Sequence, residues 1–119
     1  MSDNLLFIGW DRPARGREAG AVAAFSEGVQ YFGELKERGE IESFEPFFLE
    51  AHGGDLNGFF LVRGERAKLD RLRNDDENFQ RWIIKAGLNV DGIGVLSAVT
   101  GELLGQGMSI YAEASAGLA

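Results

Sequence analysis

Three short stretches of this chain are apolar at consecutive positions rather than at alternate ones: Leu5-Leu6-Phe7-Ile8, Phe59-Phe60-Leu61-Val62, and Val95-Leu96 followed by Ala98-Val99. A strand turns successive side chains to opposite faces, so each stretch asks for burial on both sides of a sheet. An antiparallel sheet with helices on one face ordinarily alternates apolar-in with polar-out. The chain is thus restricted to a sheet covered twice, and the number of helices decides what does the covering.

The order of elements answers that. Leu5 to Trp10 reads as a strand, ended by the turn-rich Asp11-Arg12-Pro13. Val22, Phe25, Val29, Phe32 and Leu35 recur at helical spacing, predicting a helix over 17–38 with Gly39 just past its end. Gly20, Gly28 and Gly33 lie inside it and imply close packing against a neighbour. Ile41 to Ala51 reads as a strand in which Pro46 marks an edge or a bulge. His52-Gly53-Gly54-Asp55 is a turn, and Leu56 to Arg63 completes a hairpin. A helical turn or two follows from Arg66. Asn74 with Glu77 predicts a capping box for a second helical segment carrying Phe79, Trp82, Ile83 and Ala86, ending near Gly87. Ile93 to Thr100 is the last strand. The tail, with Leu103, Leu104, Met108, Ile110 and Tyr111, is left between a short helix on the domain and one on a partner.

Strand, helix, strand, strand, helix, strand is the ferredoxin-like α+β plan, βαββαβ: one four-stranded antiparallel sheet with two helices on one face. The 119 residues suit a single domain, with a core over about 4–101 and a tail over 102–119. Helices for one face leave the other bare, an apolar patch beyond what monomers carry. The economical answer is a homodimer packed sheet to sheet.

At this point the chain resembles a known group. The element order, the two-sided strands, and the Leu69-Leu72…Phe79 segment ahead of Asp91-Gly92-Ile93-Gly94-Val95 are similar to the dimeric α+β barrel superfamily. Its members include antibiotic-biosynthesis monooxygenases, YCII-like proteins, muconolactone-isomerase-like and stress-responsive barrel proteins, and some haem-binding enzymes. The resemblance spans about residues 4–101 and rests on architecture. It implies a cleft between sheet and helices used for small organic ligands.

Composition removes several classes. The chain has no cysteine and a single histidine, which leaves no thiolate site and no histidine cluster for a metal, and no cofactor is expected. A net charge of −7 repels nucleic-acid phosphates and anionic membranes. Met1-Ser2-Asp3-Asn4 has no basic region and only a brief apolar run follows, so the expected setting is cytoplasmic. Gly53-Gly54-Asp55-Leu56-Asn57-Gly58 is a hairpin turn rather than a phosphate-binding loop.

Four sets of residues could carry chemistry. Arg12, Arg15 and Arg17 fall within six residues at the start of the first helix, beside Trp10. Arginine forks and helix N-termini suit anions, so this set could form an anion-holding lip with Trp10 as an aromatic wall. Salt bridging to nearby glutamates is the plainer reading. His52 with Asp55 could form a base and its orienter. Both residues also suit turns, and the His–Asp pair of YCII-like proteins lies elsewhere in the chain. Glu40, Glu42, Glu45 and Glu50 fit solvated strand edges better than a metal or acid–base site. Phe44, Phe47, Phe48, Phe59, Phe60, Phe79 and Trp82 could line a pocket for a flat ligand, although core and dimer packing account for most of them.

Three functions follow: a module binding a small organic ligand, apolar with or without an acid group, in the cleft; a cofactor-free isomerase or monooxygenase; or a structural dimer docking through its tail. The missing acid–base constellation favours the first.

Overall fold

The structure, a computed structural model, describes residues 1–118. Its elements are β1 (Asn4–Trp10), α1 (Glu18–Glu37), β2 (Ser43–Phe48), β3 (Gly58–Arg63), α2 (Arg66–Asp75), α3 (Glu77–Asn89), β4 (Gly94–Val99) and α4 (Gly101–Ala116). The strands form one antiparallel sheet in the order β2-β3-β1-β4, the βαββαβ arrangement. β2 is an edge strand, where Pro46 costs no ladder bond.

Register fixes the two faces. Leu6 stands opposite Val62 and Ile8 opposite Phe60. These four pack with Phe32, Leu35, Phe79 and Trp82 into the core beneath α1 and α3. Leu5, Phe7, Phe59, Leu61 and Leu96 point the other way by strand alternation. There Phe59 stacks on Phe7 at 4.9 Å and on Phe47 at 4.7 Å, a row of rings across three strands.

The buried stripe of α1 differs from the expected one. It runs through Ala21, Ala24, Gly28, Phe32 and Leu35, while Val22 is exposed. Small residues bring the helix close enough for the Trp82 Nε1–H to donate to the Ala24 carbonyl at 2.9 Å. At its end Gly39 adopts φ +73°, and the N–H groups of Gly39 and Glu40 bond back to Lys36 and Leu35. This is the closing pair of a Schellman motif, which needs a residue free to enter the left-handed region.

The second crossover is made of two helices, the turn or two expected from Arg66 extending into the ten-residue α2, so three helices cover the inner face. α2 runs through Asn74, and the cap of α3 is Asp76, whose carboxylate accepts the Phe79 N–H at 2.9 Å. Asp76 is extended (φ −83°, ψ 116°), which an N-cap requires and a helical Asn74 cannot supply. α3 continues past Gly87 to Asn89, held by tertiary packing of its last turn: Ala86 and Asn89 are buried.

The tail is a sixteen-residue helix, α4. Its apolar residues Leu104, Met108 and Tyr111 fall on one stripe, and Glu102, Gln106, Ser109 and Glu113 on another. No α4 residue is buried, so its apolar stripe meets none of the domain's core. Asp3 starts it: the Asp3 carboxylate accepts the Glu102 N–H at 3.1 Å, and Gly101 at φ +58° lies against that carboxylate with no room for a β-carbon. Among the described residues no helix is long and apolar enough to cross a membrane.

Candidate ligand cavity between sheet and helices

A cavity of about 460 Å³ opens between the C-terminal end of β1 and the first half of α1. Volumes of this order accommodate small organic molecules. Trp10, Phe25, Phe48, Phe60, Trp82 and Ile93 supply most of its apolar wall. The rings hold one another: Phe25 stacks on Phe60 at 5.5 Å and lies 4.8 Å from Phe48, while Trp10 meets Phe25 edge-on at 6.1 Å. Phe48 and Val22 are 72% and 67% exposed, so the mouth itself is apolar.

Two polar side chains, Asp11 and Asn57, line the cavity. Both are pinned through their backbones. The Asp11 N–H donates to the Asp91 carbonyl and the Asn57 N–H to the Trp10 carbonyl, each at 2.9 Å. The loop after β1 runs beside residues 89–91, with Ala14 N–H bonded to the Asn89 carbonyl and Asp91 N–H to the Arg12 carbonyl. Asn57 Nδ2 then donates to Asp11 Oδ1 at 3.3 Å. Among the described residues, Asp11 Oδ2 has neither a hydrogen bond nor an ion pair.

The residues singled out in the sequence fall unequally about this cavity. Trp10 lines it. Arg12 sits between two lining residues, Asp11 and Pro13, but its guanidinium turns to Asp91 at 3.6 Å and is not part of the wall. Arg15 and Arg17 are exposed and do not line it either. His52 and Asp55 are both exposed and are not brought together. The Gly54 N–H donates to His52 Nδ1 at 3.2 Å, so that nitrogen is unprotonated and Nε2–H donates to the Leu56 carbonyl at 2.7 Å. Both ring nitrogens are spent on folding the turn.

Sequence reasoning did not single out Asp11 and Asn57. They are 46 positions apart, and the turn chemistry of each explains it locally without reference to the other. The one available signal was their position, each next to a strand end.

A second, polar hollow of about 400 Å³ lies at the opposite end of α1, where Arg38, Lys68 and Arg71 face Glu40, Asp75 and Asp76. Beside it the Tyr31 hydroxyl donates to Asp76 Oδ1 at 3.3 Å. Burial, followed by the negative charge of Asp76, pushes the Tyr31 phenol well above its ordinary value.

No protein-family model and no curated protein sequence matches the chain. Solved structures do. A dimeric ferredoxin-like protein of unknown function from Jannaschia sp. CCS1 superposes with a TM-score of 0.63 at 18% identity, covering 82% of this chain and 99% of that one. A dimeric protein of unknown function and ferredoxin-like fold from Bacteroides fragilis NCTC 9343 gives 0.59 at 6% identity, covering 83% and 98%. SnoaB, a cofactor-independent oxygenase from Streptomyces nogalater, gives 0.56 at 11% identity, covering 85% and 96%. These likenesses cover more than four-fifths of the chain, and by fold it is a ferredoxin-like α+β domain.

Proposed function

We propose that this protein binds a small, flat organic ligand in the cavity between sheet and helices. The observation that supports it is the aromatic wall: five rings held by mutual contacts around about 460 Å³ with an open apolar mouth. Apolar pockets of this size, with few polar groups, suit ring compounds. Trp10 serves as a wall, and Arg12 stands beside the mouth; Arg15, Arg17, His52 and Asp55 lie outside the lining. Thermal shift and calorimetric titration with neutral two- and three-ring aromatics test the reading. Saturable binding is expected, lost in Val22→Trp, which fills the mouth from an exposed position. A panel that produces no binding in the wild type sinks the proposal.

The working unit in this reading is a homodimer. The outer sheet face carries Leu5, Phe7, Phe47, Phe59, Leu61 and Leu96 with no helix of α1–α3 upon it. Two of the solved structures with this fold are dimeric. A second copy covers such a face by presenting the same patch in return. Sedimentation at micromolar concentration should give twice the chain mass; a monomer would contradict this assembly.

A second reading, a cofactor-free enzyme, draws on the fold shared with SnoaB. Its test is oxygen uptake by the protein with a bound aromatic. Absence of uptake removes the oxygenase form of this reading.

A further inference from the structure

We infer that the cavity selects aromatic ligands bearing a positive charge, an aryl- or arylalkyl-amine rather than an acid, with Asp11 as the residue that sets the preference. This rests on the reading of the cavity as a ligand site and adds the chemical class of its occupant.

Asp11 is the ionisable side chain in the lining. Its carboxylate is held in place rather than free to swing. The Asp11 N–H is bonded to the Asp91 carbonyl, and Oδ1 accepts from Asn57 Nδ2 at 3.3 Å. Oδ2 has no partner among the described residues. The base next to it in sequence, Arg12, pairs with Asp91 instead, at 3.6 Å. The wall therefore holds one carboxylate, and the neighbouring guanidinium outside it faces a different carboxylate, Asp91. A carboxylate beside an apolar wall is poorly served by solvent on that side, and a donor carrying positive charge is its strongest complement.

The walls agree with the carboxylate. Faces of Trp and Phe attract cations through the ring quadrupole. Trp10, Phe25 and Phe48 stand together in the same lining as Asp11. The whole chain adds a field of the same sign, since its net charge is −7. That field concentrates cations near the surface and repels acids, to an extent that falls with ionic strength. An acid-bearing ligand would meet Asp11 at the wall and would have to draw Arg12 away from Asp91.

The test is a matched trio sharing one ring system: 2-naphthylmethylamine, 2-naphthylmethanol and 2-naphthoate, titrated calorimetrically at pH 7 in low salt. The amine should bind about tenfold or more tighter than the alcohol, a charge-assisted bond being roughly twice as strong as a neutral one, and the naphthoate weakest. Asp11→Asn keeps the size of the side chain; it should bring the amine down to the alcohol and leave the alcohol unchanged. Raising salt from 50 to 500 mM on the wild type should weaken the amine alone, a measurement that needs no variant. Naphthoate binding as tightly as the amine, or an amine preference that survives in Asp11→Asn, overturns the inference while the cavity reading stands. Equal binding of all three does the same. Failure of all three to bind overturns both.

Discussion

Gly28 of α1 lies directly against the Trp82 indole of α3: a β-carbon on Gly28 would stand 2.6 Å from Cζ2 and 3.1 Å from the Phe60 ring. The two helices meet here because one of them has no side chain. Gly28→Ala gains about 1 kcal/mol of helix propensity and loses about 1–3 kcal/mol to overpacking. The loss should win, with urea denaturation showing a net destabilisation of roughly 1 kcal/mol.

Gly33, five residues along the same helix, should behave in the opposite way. A β-carbon there meets nothing within 4 Å. Gly33→Ala should therefore stabilise by up to about 1 kcal/mol, the full propensity difference. The pair of variants in one helix separates packing from propensity by the sign of the change in denaturation midpoint.

Tyr31 makes stability depend on pH at the alkaline end. Its phenol keeps its proton to higher pH in the fold than in the unfolded chain, where it titrates at about 10. Below that value both states are protonated and the Tyr31–Asp76 contact contributes in full. Above it the unfolded chain ionises first, so stability falls as pH rises towards the folded value. Urea melts at pH 8, 9.5 and 10.5 should show a fall in the wild type that is smaller in Tyr31→Phe.

Leu96 offers a clean probe of the outer sheet face, being 60% exposed in the single chain. Leu96→Glu should leave the far-ultraviolet circular dichroism unchanged, since no core contact is lost. In a sheet-to-sheet dimer it places two like charges in an apolar interface. Sedimentation should then report a monomer at concentrations where the wild type is a dimer.

Helix α4 gives a complementary prediction. Leu104, Met108, Ile110 and Tyr111 are all exposed, between 47% and 68%. A chain ending at Gly101 should show the same monomer fold by circular dichroism and weaker self-association by sedimentation dilution. A large loss of secondary structure beyond α4 itself would show instead that the helix supports the domain.

Most of the architecture is legible in the sequence because each element is marked locally. Asp11-Arg12-Pro13 stops β1, Gly39 stops α1, and Pro46 tells that β2 lies at an edge. The errors occur where the deciding contact is distant. Asn74 and Asp76 are equally good caps in sequence, and only the extent of α2 chooses between them. Val22 sits on the helical period of α1, yet over the first half of the helix the buried stripe shifts by one position because Ala21, Ala24 and Gly28 let α3 come close, while Phe32 and Leu35 are buried as expected. The cavity is half visible for the same reason. Trp10 stands out at the end of a strand, and Phe48, Phe60 and Trp82 could be counted as aromatic but not placed. The Asp11–Asn57 pair forms only once two strand ends meet.

The two margins of the sheet are closed by different chemistry. Pro46 gives the outer edge of β2 a position with no N–H to offer a passing strand. On the other margin the Val95 carbonyl of β4, which faces away from β1, is already occupied by the Arg73 guanidinium at 3.0 Å. An extended segment from another molecule thus meets a missing donor on one side and a filled acceptor on the other. Lateral growth into a continuous ribbon is disfavoured at both margins, which leaves the flat outer face as the place where a second copy would pack in the proposed dimer.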